Sequence, residues 1–164
     1  MGYHTSFEGQ FDLDKELKPE HIAYLEAFAN TRRMKRDPSK AEALADPIRE
    51  AVGLPIGPEG AYFVGGDGFR GQDESIVNHN LPPQGQPSLW CQWVPTEEGI
   101  VWDDEEKFYE YDVWIEYIIE HFLKPWGYVL NGEVEWKGED SSDLGKMIVE
   151  DNVLTIKQGK IVYE

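Results

Sequence analysis

Cysteine is nearly absent from this sequence. The single Cys91 excludes an internal disulfide and a cysteine-rich metal site, and its apolar surroundings mark a small core residue rather than a nucleophile. Long hydrophobic runs are also missing. No stretch reaches the ~18 apolar residues that span a bilayer, and the first residues have no signal-peptide core, so a cytoplasmic protein is expected. The four histidines, His4, His21, His79 and His121, show no paired metal-ligand spacing, and Glu116, Glu120 and His121 do not converge on one helix face. No serine sits in a G-x-S-x-G elbow. Carboxylates are so numerous that a glycosidase-like pair is guaranteed by chance and carries no signal. The residues therefore predict no catalytic, cofactor-binding or metal-binding group.

Positive charge is the next scarcity. Against 32 acidic side chains stand 15 basic ones, a net charge of −17. Residues 1–70 hold 12 acidic and 9 basic groups, whereas residues 71–164 hold 20 and 6. Nucleic acids bind cationic surfaces that release their counterions, so the acidic half should repel DNA, RNA and anionic membranes. What is abundant is aromatic: six Trp, eight Tyr and seven Phe, enough for a real core in 164 residues and against disorder.

Periodicity supplies the elements. Tyr3, Thr5, Phe7, Gly9, Phe11 and Leu13 alternate with polar residues, predicting a half-buried strand. A helix begins at Pro19 with Ile22, Leu25, Phe28 and Ala29 as its buried stripe. Its end meets "RRMKRD" (32–37), read either as cations on the helix dipole or as a site for an anionic ligand or an acidic neighbouring subunit. Ser39 to Glu42 reads as a capping box, and Asp46-Pro47 opens a short helix closed at Gly53. Residues 53–88 form a Gly/Pro-rich insertion with a short strand at Ala61–Val64. It contains G-x-G-x-x-G from Gly66 to Gly71, but no uninterrupted helix follows to complete a pyrophosphate cradle. "LWCQWV" and "GIVWDD" predict a hairpin, 103–127 one long helix stopped by Pro125 and Gly127, and 128–138 a strand. Two terminal hairpins are expected, turning at Asp151-Asn152 and at Gln158-Gly159.

This order predicts one α+β domain over residues 1–164: a mostly antiparallel sheet, two main helices on one face, a ferredoxin-like core and extra C-terminal strands. The open face would carry His4, Ser6, Glu8, Gln10, Asn131, Glu133 and Glu135, the wrong chemistry for RNA stacking. On the long helix Phe108, Tyr111, Ile115, Ile118 and Phe122 face the sheet. Asp112, Glu116 and Glu120 form an acidic ladder, self-repelling by about 0.2–0.5 kcal/mol per pair. Beside it run Trp114, Tyr117 and His121. The ladder with Trp114 and Tyr117 is the predicted partner-binding surface; the alternative packs those rings as a satellite core beneath the long loop.

"GYHTSFEGQF", "TRRMKRD", "GPEGAYFVGG", "QPSLWCQWVP" and "EKFYEYDVWIEYIIEHFLKPWGYVLNGEVEW" together resemble a family of small hypothetical proteins from bacterial and bacteriophage genomes. The family has no assigned activity, so the resemblance transfers no site residue; it implies a phage or bacterial cytoplasmic setting. Phage genomes encode acidic inhibitors that occupy basic nucleic-acid grooves of host complexes. The leading expectation is thus an acidic protein-binding module of the nucleic-acid-mimic kind, docking on a basic protein or complex. The other two are a small hydrolase or ligand-binding protein with 53–88 as a lid, and a subunit of a larger assembly, a homo-oligomer joined at the Trp114 ridge.

Overall fold

The computed structural model describes residues 2–65 and 73–163. Its contacts divide the chain into two units, Met1–Leu17 with Gln92–Glu164, and Lys18–Cys91. In chain order β1 (Thr5–Leu13) comes first. The Lys18–Cys91 unit follows with α1 (Pro19–Ala29), β2 (Lys35–Arg36), α2 (Pro38–Glu42), α3 (Pro47–Ala51) and β3 (Ile76–Asn78). The first unit resumes with β4 (Trp93–Pro95), β5 (Gly99–Trp102) and α4 (Tyr111–Ile118). A π turn at Ile119–Leu123 and a last helical turn, α5 (Lys124–Trp126), extend α4, and β6 (Leu130–Gly138), β7 (Leu144–Glu150) and β8 (Val153–Gln158) complete it.

The fold is α+β, and its six-stranded sheet is antiparallel throughout, in the order β4-β5-β1-β6-β7-β8. Its first four strands have the split β-α-β order expected from the sequence, and β7 and β8 are the extra C-terminal strands. β1 pairs with β6 over nine residues, from Thr5↔Gly138 to Leu13↔Leu130. The predicted alternation holds: Thr5, Phe7 and Phe11 are buried, and Ser6, Glu8, Gln10 and Asp12 face outward. The register places Glu8 beside Glu135 and Gln10 beside Glu133, so the open face is the polar one anticipated. Two glycines let these strands close. A Cβ on Gly9 would stand 2.6 Å from the Glu133 carbonyl oxygen, and one on Gly132 2.8 Å from that of Gln10.

The core of this unit is a cage of rings. Phe7 makes edge-to-face contacts with Trp93, Trp102, Phe108 and Tyr111, at centroid distances of 4.9–5.8 Å. Each such pair adds about 0.5–1.5 kcal/mol beyond the burial of its area. Trp93 also meets Phe11 and donates its indole N–H to the Tyr111 carbonyl, at 2.8 Å. One ring of β1 thereby ties together β4, β5, the 103–110 segment and α4.

The expected helix over 103–127 is shorter than predicted. It starts at Tyr111, and Asp104, Lys107 and Glu110 adopt left-handed backbone, with φ of 65°, 61° and 58°. Helical turns would have stacked Asp103, Glu106 and Glu110 at repelling spacings. Instead Phe108 enters the ring cage, and the Glu105 and Glu106 carbonyls accept from Trp102 Nε1 (3.2 Å) and Gln92 Nε2 (3.0 Å). Pro125 cannot donate to the His121 carbonyl, and the chain widens into the π turn just before it. Gly127 (φ +88°) ends the helix as predicted, with Tyr128 N–H returning to the Leu123 carbonyl at 2.9 Å.

The Asp151-Asn152 hairpin forms as predicted, both residues left-handed (φ 49° and 69°). Asn152 also accepts from Leu130 N–H at 2.7 Å and donates to the Tyr128 carbonyl at 3.0 Å, which fastens the turn to β6. The second hairpin does not form. Gly159 N–H bonds the Leu144 carbonyl (2.8 Å), so the chain runs on alongside β7 instead of reversing.

In the Lys18–Cys91 unit the basic cluster is turned inward. α1 ends at Ala29, before Arg32 and Arg33 could serve its dipole. Arg33 is 1 % exposed; it donates to the carbonyls of Phe63 (2.6 Å) and Ala61 (3.3 Å) and lies 4.2 Å from the Phe28 ring centre. Arg36, 2 % exposed, reaches Asp73 at 2.9 Å and Ser75 at 2.7 Å and covers the Phe63 ring. Lys35 pairs with Glu59 and Arg32 bonds the His79 carbonyl. The four side chains of the cluster thus all bond to groups of their own chain.

Caps differ locally as well. Asp37, not Ser39, caps α2, accepting from Ser39 and Lys40 N–H. Asp46 precedes Pro47 as expected, yet its carboxylate turns inward to Arg49 (2.6 Å) and Val64 N–H (3.3 Å); burial raises its pKa and Arg49 pulls it back. Ala61, Phe63 and Val64 are buried, yet residues 61–64 form no strand; among the described residues of this region the strand is β3, paired with β2. Among the described residues of 53–88, Ala61, Phe63, Val64, Ser75 and Gln86 are buried. The Gly66–Gly71 motif lies outside the described residues. No helix among them is long and apolar enough to cross a membrane.

Replacing Phe7 with Ala should cost about 3–5 kcal/mol, because the cavity opens among four rings that cannot collapse onto it. Urea denaturation of the two proteins measures this. A loss no larger than the ~0.5 kcal/mol of a surface change would contradict the cage.

Candidate functional site

The predicted docking residues do not share one exposed surface. Trp114 is 0 % and Tyr117 6 % exposed, so their rings are not offered to a partner, which corrects the aromatic-ridge expectation. Tyr117 stacks on His121 at 3.9 Å, and burial lowers the histidine pKa despite Glu120 beside it. The acidic ladder is broken too. Asp112 is half-buried in the first turn of α4, where the helix dipole favours a carboxylate. Glu116 is exposed, and Glu120 accepts from Lys124 Nζ at 3.2 Å, an i,i+4 pair. What remains on α4 is ordinary solvated charge.

Carboxylates concentrate instead at one end of the sheet, where the segment after β5 meets the β6–β7 turn. The residues leading into β1 stitch these two acidic loops together. Tyr3 OH donates to Asp143 at 2.7 Å and accepts from Asp140 N–H at 3.1 Å, while Tyr3 N–H donates to Tyr109 OH at 3.3 Å. Trp136 Nε1 holds the other Asp143 oxygen at 2.9 Å. His4 N–H donates to Glu139 at 2.7 Å. The His4 ring stands between the two loops, 3.7 Å from Glu106 and 3.9 Å from Glu139.

These groups line an open cleft of about 370 Å³, with Trp102, Asp104, Glu106, Glu139, His4 and Lys137 on its walls. Three carboxylates face one lysine and one histidine beside an indole. Asp140, at the rim, accepts from the N–H and hydroxyl of Ser142, which hold its pKa below the ordinary range. Asp103, half-buried behind Asp104, is the opposite case: burial pushes its pKa up to about 6, with Glu105 and Asp104 adding to the rise. Such a cleft suits a cationic side chain, with carboxylates for its charge and an aromatic face for its stem. Among the described residues no group of three or more His, Cys, Asp or Glu is arranged to hold a metal.

A larger depression of about 520 Å³ lies on the open face and at the β8 end. Its lining mixes both signs, Glu8 and Glu135 with Lys137, Lys146 and Lys157, and Lys146 stands 3.9 Å from Glu135. It therefore lacks the acidic excess seen at the His4 end.

Sequence reading missed Trp102, Asp104, Glu106 and Glu139 as a group. The acidic run 103–106 reads as part of a helix, and nothing local announces that strand pairing brings Glu139 beside it. No family model, curated protein or solved structure matches the chain.

The raised Asp103 pKa has a measurable consequence. Folding favours its protonated form, so its contribution to stability is complete below the unfolded value near 4 and is lost as pH rises through about 6. Urea midpoints should therefore show a fall between these pH values that Asp103→Asn removes; an unchanged slope in the variant would contradict the assignment.

Proposed function

We propose that this chain is an acidic protein-binding module whose Met1–Leu17/Gln92–Glu164 unit docks on a cationic protein. The observation that carries the reading is the distribution of charge. That unit holds 22 acidic and 7 basic side chains, a net of −15; Lys18–Cys91 holds 10 and 8, a net of −2. Three of this unit's seven lysines are held away from the His4 end, Lys124 by Glu120, Lys146 on the open face and Lys15 over the Tyr128 ring, while Lys137 alone faces the three carboxylates lining the cleft. The cleft beside Trp102 is where unmatched carboxylates meet a preformed aromatic wall, and it takes lysine or arginine side chains of the partner.

One exposed ion pair contributes only about 0–1 kcal/mol, so affinity must come from many together and from steering by the whole field. Salt weakens such an association steeply. In the phage or bacterial setting implied by the resemblance, the partner is a protein whose basic groove otherwise holds nucleic acid, and the carboxylates stand in for phosphates.

Immobilised protein challenged with bacterial lysate at rising salt tests this. Basic nucleic-acid-binding proteins should be retained at low salt and released as it rises. The triple variant Asp104→Lys, Glu106→Lys, Glu139→Lys should lose about tenfold or more in affinity, some 1.4 kcal/mol or above. The control Asp112→Lys, Glu116→Lys should lose less. Equal capture by the triple variant, or a retained set that is not cationic, would sink the proposal.

A further inference from the structure

The two edges of the sheet are protected very differently. β4 has three residues and ends in Pro95, which has no N–H to offer. β8 has six residues, no proline and no register shift against β7, and among the described residues it pairs with β7 alone. The Gly159 N–H bond to the Leu144 carbonyl fixes the phase of that ladder. Counting back along an antiparallel pair, Thr155 and Lys157 direct their backbone groups to β7, and Leu154 and Ile156 direct theirs to the open edge. Ile156, 46 % exposed, and the half-buried Leu154 lie on the core side of the sheet, and Val153 is 64 % exposed.

Charge narrows what can bind there. From Val153 to Tyr163 the chain has two lysines, Lys157 and Lys160, and no carboxylate, although it belongs to the unit of net charge −15. A cationic partner gains nothing along this strip. Acids stand at its start, Glu150 closing β7 and Asp151 in the turn, and basic groups at its far end. An antiparallel copy of the same strand matches this order head to tail.

We infer that β8 is a self-association edge, pairing antiparallel with β8 of a second copy about a two-fold axis at Thr155. In this register Leu154 lies opposite Ile156 of the second copy, and Ile156 opposite its Leu154. Thr155 meets Thr155, and Val153 meets Lys157. The lysines at 157 and 160 are carried toward Glu150 and Asp151 of the other chain. The backbone groups of Leu154 and Ile156 gain partners, and the apolar side chains form one continuous stripe on the core side. This edge is separate from the His4 cleft, so both surfaces can be engaged at once, and the pairing does not depend on the proposed function.

Light scattering on the full chain tests the inference. The expected mass is twice the 18.8 kDa of one chain. Ile156→Pro removes an N–H that faces the open edge while sparing the bonds to β7, and it should return the mass to that of one chain with an unchanged circular dichroism spectrum. Should that variant misfold, Ile156→Lys puts a charge into the shared stripe and should give the same loss. Thr155→Cys should cross-link to itself under mild oxidation, and Gln158→Cys should not; Cys91, the natural cysteine, is buried. A monomeric parent protein, a dimer that survives folded Ile156 variants, or cross-linking at 158 in place of 155 would each overturn the pairing.

Discussion

The acidic cleft depends on where Phe108 goes. A helix over 103–127 would have carried the run of acids away along its own axis. The ring cage around Phe7 draws Phe108 in, at 5.8 Å from Phe7 and 5.3 Å from Trp93, and holds 103–110 as a bent loop with three left-handed residues. Such residues cost of order 1–3 kcal/mol each, and they persist only where surrounding packing over-determines them. Four edge-to-face contacts on one buried ring supply that packing. Trp102 belongs both to the cage and to the cleft wall, so the core and the proposed binding surface share a side chain.

Charge is sorted by burial as well as by sequence. In Lys18–Cys91, Arg33, Arg36 and Arg49 are buried and donate to carbonyls, Asp73, Ser75 and Asp46. Removing a partner from a buried ion pair of this kind costs about 3–5 kcal/mol, so these arginines hold an irregular, Gly/Pro-rich segment in place. They are unavailable as an external basic patch. Among the described residues, the unit carrying β1 and β4 to β8 buries no acid in an ion pair of this kind and leaves most of its acids exposed.

The strands were legible because a period of two with buried Phe7, Phe11, Val134 and Trp136 admits one register, and because Asp151-Asn152 supplies the left-handed pair a tight hairpin requires. The split β-α-β order followed from those strands. The helix start was not legible: apolar spacing continues through Phe108, and only tertiary packing of that ring decides against helix. Buried arginines escaped for a related reason, since composition marks "RRMKRD" as basic without showing that carbonyls of Ala61 and Phe63 enclose it. Helical spacing puts Trp114 and Tyr117 outside a single buried stripe, whereas the buried residues of α4, Trp114, Ile115, Tyr117 and Ile118, cover more of its circumference.

In the proposed function a preformed acidic cleft, rather than the acidic face of α4, meets cationic side chains. Amide and indole NMR spectra recorded while an oligo-arginine peptide is titrated in address it most directly. Shifts should concentrate at residues 103–106 and 138–140 and at the Trp102 indole N–H, saturating together and fading with added salt. Shifts centred on residues 112–120, or spread evenly over every exposed carboxylate, would contradict the account.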